Sequence, residues 1–263
     1  MGKPAIAGVL FEPESLDRDP WSLDRLRPIY ATIPRMRPFT LLQKTITDCT
    51  ICERLTTYRQ AIAKEKVKRF RDWNYWGRPI TGFGDPKAQV FVVGLAPAAH
   101  GGNRTGRVFT GDRSGDWLYE ALHVFGFANQ PDSIHRDDGL TLTNCFVAAV
   151  VRCAPPANKP TKAEFAACRP YLQEELRLLG RVKVIVALGK IAFDEYLRTC
   201  QAMGLHVPSP RPKFSHGAQY ALPWGVTLVG SYHPSQQNTF TGTLTRPMFH
   251  GIFSTVRKLI SPS

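Results

Sequence analysis

Three groups of residues have types and spacings that could do chemistry. The first is a set of four cysteines: the pair Cys49-x2-Cys52, then Cys153 and Cys168 with fourteen residues between them. Four thiolates hold either a tetrahedral zinc ion or an iron-sulfur cluster, and spacing alone does not separate the two. Cys145 at a strand start and Cys200 at a helix end read as ordinary buried thiols, although pairing Cys145 with Cys168 would change the ligand set at one position. The second group is the run from Gly94 to Asp112, GLAPAAHGGNRTGRVFTGD, with five glycines and one proline. Its glycines permit tight turns and bare amides that a phosphate or a base can approach closely, but it is neither a Walker loop nor a GxGxxG motif. The third is Ser231-Tyr232-His233-Pro234-Ser235-Gln236-Gln237-Asn238, where the proline biases His233 to an extended backbone. A metallohydrolase built from His100, His216, His233 and His250 finds no support, because no pair of them has metal-ligand spacing.

Something must hold these groups together. Four short apolar runs, Gln89 to Leu95, Phe146 to Val151, Val182 to Leu188 and Val226 to Val229, read as strands buried on both faces, and helical stretches separate most of them. That is the grammar of a parallel sheet with helices on both sides. Ligands in such sheets sit at the carboxyl ends of the strands, which is where the glycine-rich loop and the histidine segment begin. Residues 54–73, RLTTYRQAIAKEKVKRFRDW, read as a basic helix, either a solvated face or one turned toward nucleic acid. Trp117, Leu118, Ala121, Leu122 and Phe125 repeat at helical spacing after an Asp112 to Ser114 cap region, and Thr161 with Glu164 forms a capping box. Pro170 is expected to end one short helix and open the next, which runs to Gly180. Residues 201–223 read as a surface loop or short hairpin.

The chain has 263 residues, 43% of them hydrophobic, enough for one sizeable core. Residues 1–40 carry six prolines and no clear period and are expected to be an extension, leaving residues 41–263 as the working domain. Lysine and arginine number 34 against 21 acidic residues, a formal charge of +13 that suits a polyanionic partner. There is no run of about 18 apolar residues to cross a bilayer, so no membrane partner is expected. The N-terminus has no apolar signal region either, and the expected location is cytoplasmic, on the nucleoid when bound to DNA. A reducing compartment favours metal ligands or plain core thiols over disulfides for six cysteines.

With GLAPAAHGGNRTGRVFTGD and HPSxxN on the page in that order, the chain resembles the uracil-DNA glycosylase superfamily, specifically its family 5 members, over roughly residues 45 to 260. The resemblance implies a three-layer α/β/α sandwich around a four-stranded parallel sheet. It also implies a 4Fe-4S cluster on Cys49, Cys52, Cys153 and Cys168, and a DNA partner, single- or double-stranded, with a damaged base flipped from the stack. A monomer is the default. A non-catalytic metal-bearing nucleic-acid module would leave both motifs unexplained, and family 4 carries an acidic residue where this chain has Ala96.

On that resemblance, His233 is the neutral hydrogen-bond donor to the departing base and Phe109 the surface on which the base stacks; by residue type alone, a phenylalanine in a glycine-rich loop is equally a core plug. Ala96 and Ala149 stand where relatives orient water and read the base edge. The main chain of Leu95, Ala96, Pro97 and Ala98 is therefore expected to bind the base or the water, with Asn103 as first candidate to help. Asn158 either reaches the pocket in place of the missing carboxamide or is simply a turn residue. The hydroxyls of Thr110, Ser231 and Ser235 and the loop amides, with Arg104 and Arg107, are expected to hold phosphates, the alternative for either arginine being a surface salt bridge, and the segment from Gln236 to Leu244 is expected to fill the gap in the stack. Loss of edge readout implies a range that includes hypoxanthine. With no lysine placed as a nucleophile, the expected chemistry is hydrolysis to an abasic site without strand scission.

Overall fold

Alternation of side chains along the apolar strands settles the layers. The structure, a computed structural model, describes residues 38–261. The expected extension lies outside the described residues up to residue 37, while residues 38–40 form the first turn of helix α1, Pro38–Thr47. Strands β2 (Val90–Gly94), β3 (Cys145–Ala149), β4 (Val184–Leu188) and β6 (Thr227–Ser231) are parallel and stand in the order β3-β2-β4-β6. Val90 and Val92 point to one face, where α4 (Arg113–Val124) and α8 (Arg246–Ile260) cover them. Phe91 and Val93 point to the other, against α5 (Lys162–Leu178) and α6 (Lys190–Ala202). Every residue of β2, β3 and β4 is buried, as double-sided cover requires.

The sheet has six strands rather than the expected four. β1 (Phe83–Gly84) pairs antiparallel with β3 at one edge, and β5 (Gln219–Ala221) pairs antiparallel with β6 at the other. These edge strands are two and three residues long, too short to leave a periodic signature. β5 and β6 form a hairpin at the end of the segment read as loop or hairpin.

Two helical expectations need correction. The basic stretch is not one helix: α2 runs Glu53–Glu65, and Lys66 then takes a left-handed backbone (φ 53°) that stops it before a 3-10 turn at Lys68–Phe70. Pro170 does not break α5, which continues through it. Although an internal proline forfeits one backbone hydrogen bond, Cys168, Tyr171, Leu172 and Glu175 on both sides of it are buried, and their packing holds the helix together. The capping box of Thr161 and Glu164 forms as expected, and Asp112 caps α4 by accepting from the amides of Ser114 and Gly115. Among the described residues no helix is long and apolar enough to cross a membrane.

Candidate active site

The strand order places a topological switch point between β2 and β4: after β2 the chain goes to β3 on one side, then returns to β4 on the other. The glycine-rich loop leaves β2 at this point and the histidine segment leaves β6, one strand further on. Two backbone bonds, from the amides of Val150 and Val151 to the carbonyls of Gly94 and Leu95, extend the β2–β3 pairing past the strand ends. Gly94 stands opposite Ala149 in register. Leu95, Ala96 and Ala98 are half-buried and Pro97 buried, so this stretch offers main chain and apolar surface with no polar side chain.

The loop then turns through the short helix α3 (Gly102–Thr105) and returns to the strand end. Phe109 sits there with φ 50°, a left-handed conformation that is unfavourable for a bulky residue and persists only where its surroundings impose it. Two glycines make room for it. A β-carbon on Gly94 would collide with the Phe109 ring, and one on Gly115 would collide with the Phe109 carbonyl. The ring thus lies against the end of β2, with its centroid 6.0 Å from that of His233 and the planes 34° apart.

His233 is fixed by its neighbours. The Asn238 carboxamide donates to its carbonyl at 2.8 Å, and the Ser235 hydroxyl accepts from the Asn238 amide, capping α7 (Gln236–Phe240). Part of the residue reaches solvent, yet the packing round the imidazole pushes its pKa down to about 4, so the ring is neutral at physiological pH. A neutral imidazole can donate one hydrogen bond without bringing a charge into the pocket.

Several expected site residues lie elsewhere. Arg107 is buried and cannot reach a phosphate: its guanidinium makes a two-pronged ion pair with Asp138 (2.8 and 2.6 Å) and bonds Thr110 and Ser133. Burial alone would raise the Asp138 carboxyl; the Arg107 fork and the amides of Leu140, Ile134 and His135 override it and hold the group well below the usual range. Arg104 is buried too, with Nε donating to the His100 carbonyl at 2.7 Å and Nη2 to the Gly111 carbonyl at 2.8 Å. Thr110 and Ser231 are fully enclosed, their hydroxyls bonded to Ser133 and to the Tyr232 carbonyl. Of the six residues expected to grip DNA, Ser235 and Gln236 keep exposed surface. The burial of the other four was not visible in sequence because their partners lie in distant or unremarkable segments.

Asn103 faces inward. It is 1% exposed, and its Nδ2 donates to the Arg59 carbonyl of α2 at 3.1 Å, so it ties the loop to that helix. Asn158 is exposed with φ 55° at the end of a 3-10 turn, Pro156–Asn158, the geometry of a turn asparagine. Asp112, read only as a cap, carries the one carboxyl group of the loop. Its Oδ1 accepts the capping bonds, while Oδ2 lies where a Gly101 side chain would stand. Burial raises its pKa above the ordinary carboxylate value, with the two capping amides opposing. Being the sole acid within the run was the signal that marked it.

The four cysteines named as ligands are all free thiols. Burial pushes Cys153 and Cys168 up to about 12, and each of the four thiols adds to the electrostatic penalty at these two or is one of them. The set thus converges on one region from four points in the chain. Arg59, a buried cation, acts on Cys153, and its Nε has no hydrogen-bond partner. Arg59 Nη2 donates to the Cys49 carbonyl at 3.3 Å. Among the described residues, however, no three His, Cys, Asp or Glu side chains are arranged to grip a single ion. An all-thiol set beside a buried guanidinium with one unpartnered N–H fits a soft, anionic metal cluster, which holds its cysteines farther apart than one zinc ion does.

The protein-family model described as the Uracil DNA glycosylase superfamily matches residues 81–257. A "Type-5 uracil-DNA glycosylase" of Mycobacterium bovis is 48% identical over 219 residues, 83% of this chain and 80% of the relative. One from Thermus thermophilus is 48% identical over 216 residues, covering 82% and 95%. A third, from Pyrobaculum aerophilum, is 43% identical over 200 residues, covering 76% and 84%.

Proposed function

This chain belongs to the uracil-DNA glycosylase superfamily, and from that membership we propose how its pocket removes uracil from DNA and what else it accepts. It is a DNA repair glycosylase that hydrolyses N-glycosidic bonds, with DNA as its partner. The observation that carries the mechanism is the meeting of a neutral His233 with Phe109 at the carboxyl end of the sheet.

A stacked base is out of reach, so the nucleotide must leave the helix and enter the pocket. Phe109 is 8% exposed and packed into the core, so a flipped base would meet only the part of its ring left open at the strand end, where stacking is worth at most about 1–3 kcal/mol. As the bond to the sugar breaks, negative charge builds on the base, and His233 donates a hydrogen bond to it. Water then traps the sugar. With Ala96 in the strand-end loop and Asn103 bonded to α2, the main chain around Leu95 to Ala98 and the free oxygen of Asp112 are the groups left to orient that water.

The alanines at 96 and 149 leave the base edge unread by side chains, which supports acceptance of hypoxanthine beside uracil. No lysine adjoins His233 or Phe109 in sequence, which supports release of an abasic site without strand scission. The test is a labelled duplex with one uracil or one hypoxanthine. Breaks that appear only after alkali are expected for both; breaks without alkali, or no action on hypoxanthine, would overturn the corresponding part.

Cys49, Cys52, Cys153 and Cys168 would hold a 4Fe-4S cluster. When bound it supplies a crosslink between the segment before β2, the exit of β3 and α5, a structural service. Arg59 would balance part of its charge. Purified protein is expected to be brown and to contain iron, and Cys168→Ser to lose iron and unfold at lower temperature. Colourless wild-type protein containing zinc would overturn the cluster.

A further inference from the structure

The buried arginines leave open what neutralises the phosphates of bound DNA. The last turn of α2 and the stretch that follows it carry Lys64, Lys66, Lys68, Arg69 and Arg71, against Glu65 and Asp72. Lys64, Lys68, Arg69 and Arg71 are exposed. No carboxylate among the described residues forms an ion pair with any of the five. The stretch closes on itself through its own main chain: the Lys66 ammonium donates to the Arg71 carbonyl at 3.1 Å, and Lys66 takes the left-handed backbone that turns it.

This strap is fastened to the active-site loop. The Arg104 guanidinium, held by the His100 and Gly111 carbonyls, lies over both Phe70 and Trp73, at 3.9 and 4.0 Å from the ring centroids. Tyr75 shares a hydrogen bond with His100 Nδ1 at 3.1 Å, and the amides of Trp76 and Gly77 donate to the carbonyls of Arg104 and Asn103. A row of cations with no carboxylate partner among the described residues is therefore held beside the loop that carries Phe109.

We infer that the strap from Lys64 to Arg71 is the phosphate-binding surface, gripping the DNA backbone beside the flipped nucleotide, and that Arg104 serves it from within by clamping it to the loop. This rests on the uracil-excision reading for the identity of the DNA as substrate. A cationic row recognises phosphate without reading sequence, so the grip is equal on all sequences and weakens with salt. The strap thus supplies the uniform part of binding, while Phe109 and His233 act on the base alone.

The test compares two triple variants of equal charge change. Lys64→Gln/Lys68→Gln/Arg69→Gln strips the strap, leaving the Lys66 and Arg71 bonds in place. Lys87→Gln/Arg181→Gln/Lys183→Gln removes three exposed cations near the amino ends of β2 and β4, at the opposite rim of the sheet. Binding to a fluorescent duplex carrying a tetrahydrofuran abasic-site analogue is measured against salt, with thermal unfolding to check the fold. The strap variant is expected to lower the slope of log affinity against log salt by about 2 to 3, since each lost phosphate contact removes about 0.9. The rim variant is expected to match the wild type. Equal losses in both variants would show that only total charge matters and overturn the strap, as would an unchanged slope in the strap variant. Wild-type uracil excision is assayed alongside: its absence would sink the enzymatic reading, while the slope comparison still decides the strap.

Discussion

Replacing His233 by alanine is expected to slow uracil excision at saturating DNA about a hundred- to a thousand-fold, the usual loss when one donor to a developing anion is removed. Binding of the same duplex is expected to change little, because the donor matters most once charge has built up on the base. The pH dependence carries the finer test. Burial holds His233 at about 4, so its ring stays neutral from pH 5.5 to 8 and no inflection should appear near pH 6.5. Toward acid, activity falls as Asp112, raised by burial, takes up its proton and loses its hold on water. A wild-type rate that rises as pH drops through 6.5, with the rise absent in His233→Ala, would mean that a charged imidazole is the donor. Single-turnover rates across that range decide between the two.

Arg152→Ala is expected to produce the largest loss of stability, about 3–5 kcal/mol. Arg152 and Glu175 are 1% and 2% exposed at the side chain and meet through two parallel hydrogen bonds of 2.9 and 2.6 Å. Burial already raises the Glu175 carboxyl, and Arg152 is the charge that opposes it. Without the arginine, a lone carboxylate would remain in the core. Its folded pKa would then rise far above the unfolded value, so the fold would bind a proton that the unfolded chain releases. The damage is thus greatest at neutral pH and shrinks as pH falls toward the ordinary carboxylate range. The double change Arg152→Met/Glu175→Leu removes both charges and is expected to be much milder. Urea unfolding at two pH values checks all of this, and a loss under about 1 kcal/mol for Arg152→Ala would contradict the account.

What sequence could and could not disclose follows from the range of each interaction. The four central strands were legible because burial on both faces leaves unbroken apolar runs, and the position of His233 was legible because a strand end followed by proline is a local pattern. The edge strands β1 and β5 were not, since two or three residues carry no period. Arg104 and Arg107 misled for a different reason. A sequence shows that a residue is charged but not which way it points, and Asp138 and the rings of Phe70 and Trp73 meet these arginines only after the chain has folded. Pro170 misled in the opposite sense: its local rule is sound, and the buried flanks of α5 outweigh it. Asn103 looked catalytic by proximity in the loop, but its partner is a carbonyl on α2.

The separation of Phe109 and His233 along the chain also governs when the enzyme comes into being. One belongs to the loop after β2, the other to the loop after β6, and β6 joins the sheet through β4. Contacts between such remote segments close late, because the entropy of a long loop must be overcome before the contact rewards it. During synthesis the first two thirds of the chain can gather the four cysteines and the glycine-rich loop, yet it holds no base-cleaving pocket until the last central strand docks. A nascent or truncated chain can therefore reach DNA with its cationic strap and remain chemically silent, so competence to cut a glycosidic bond arrives in one step, together with the completed sheet.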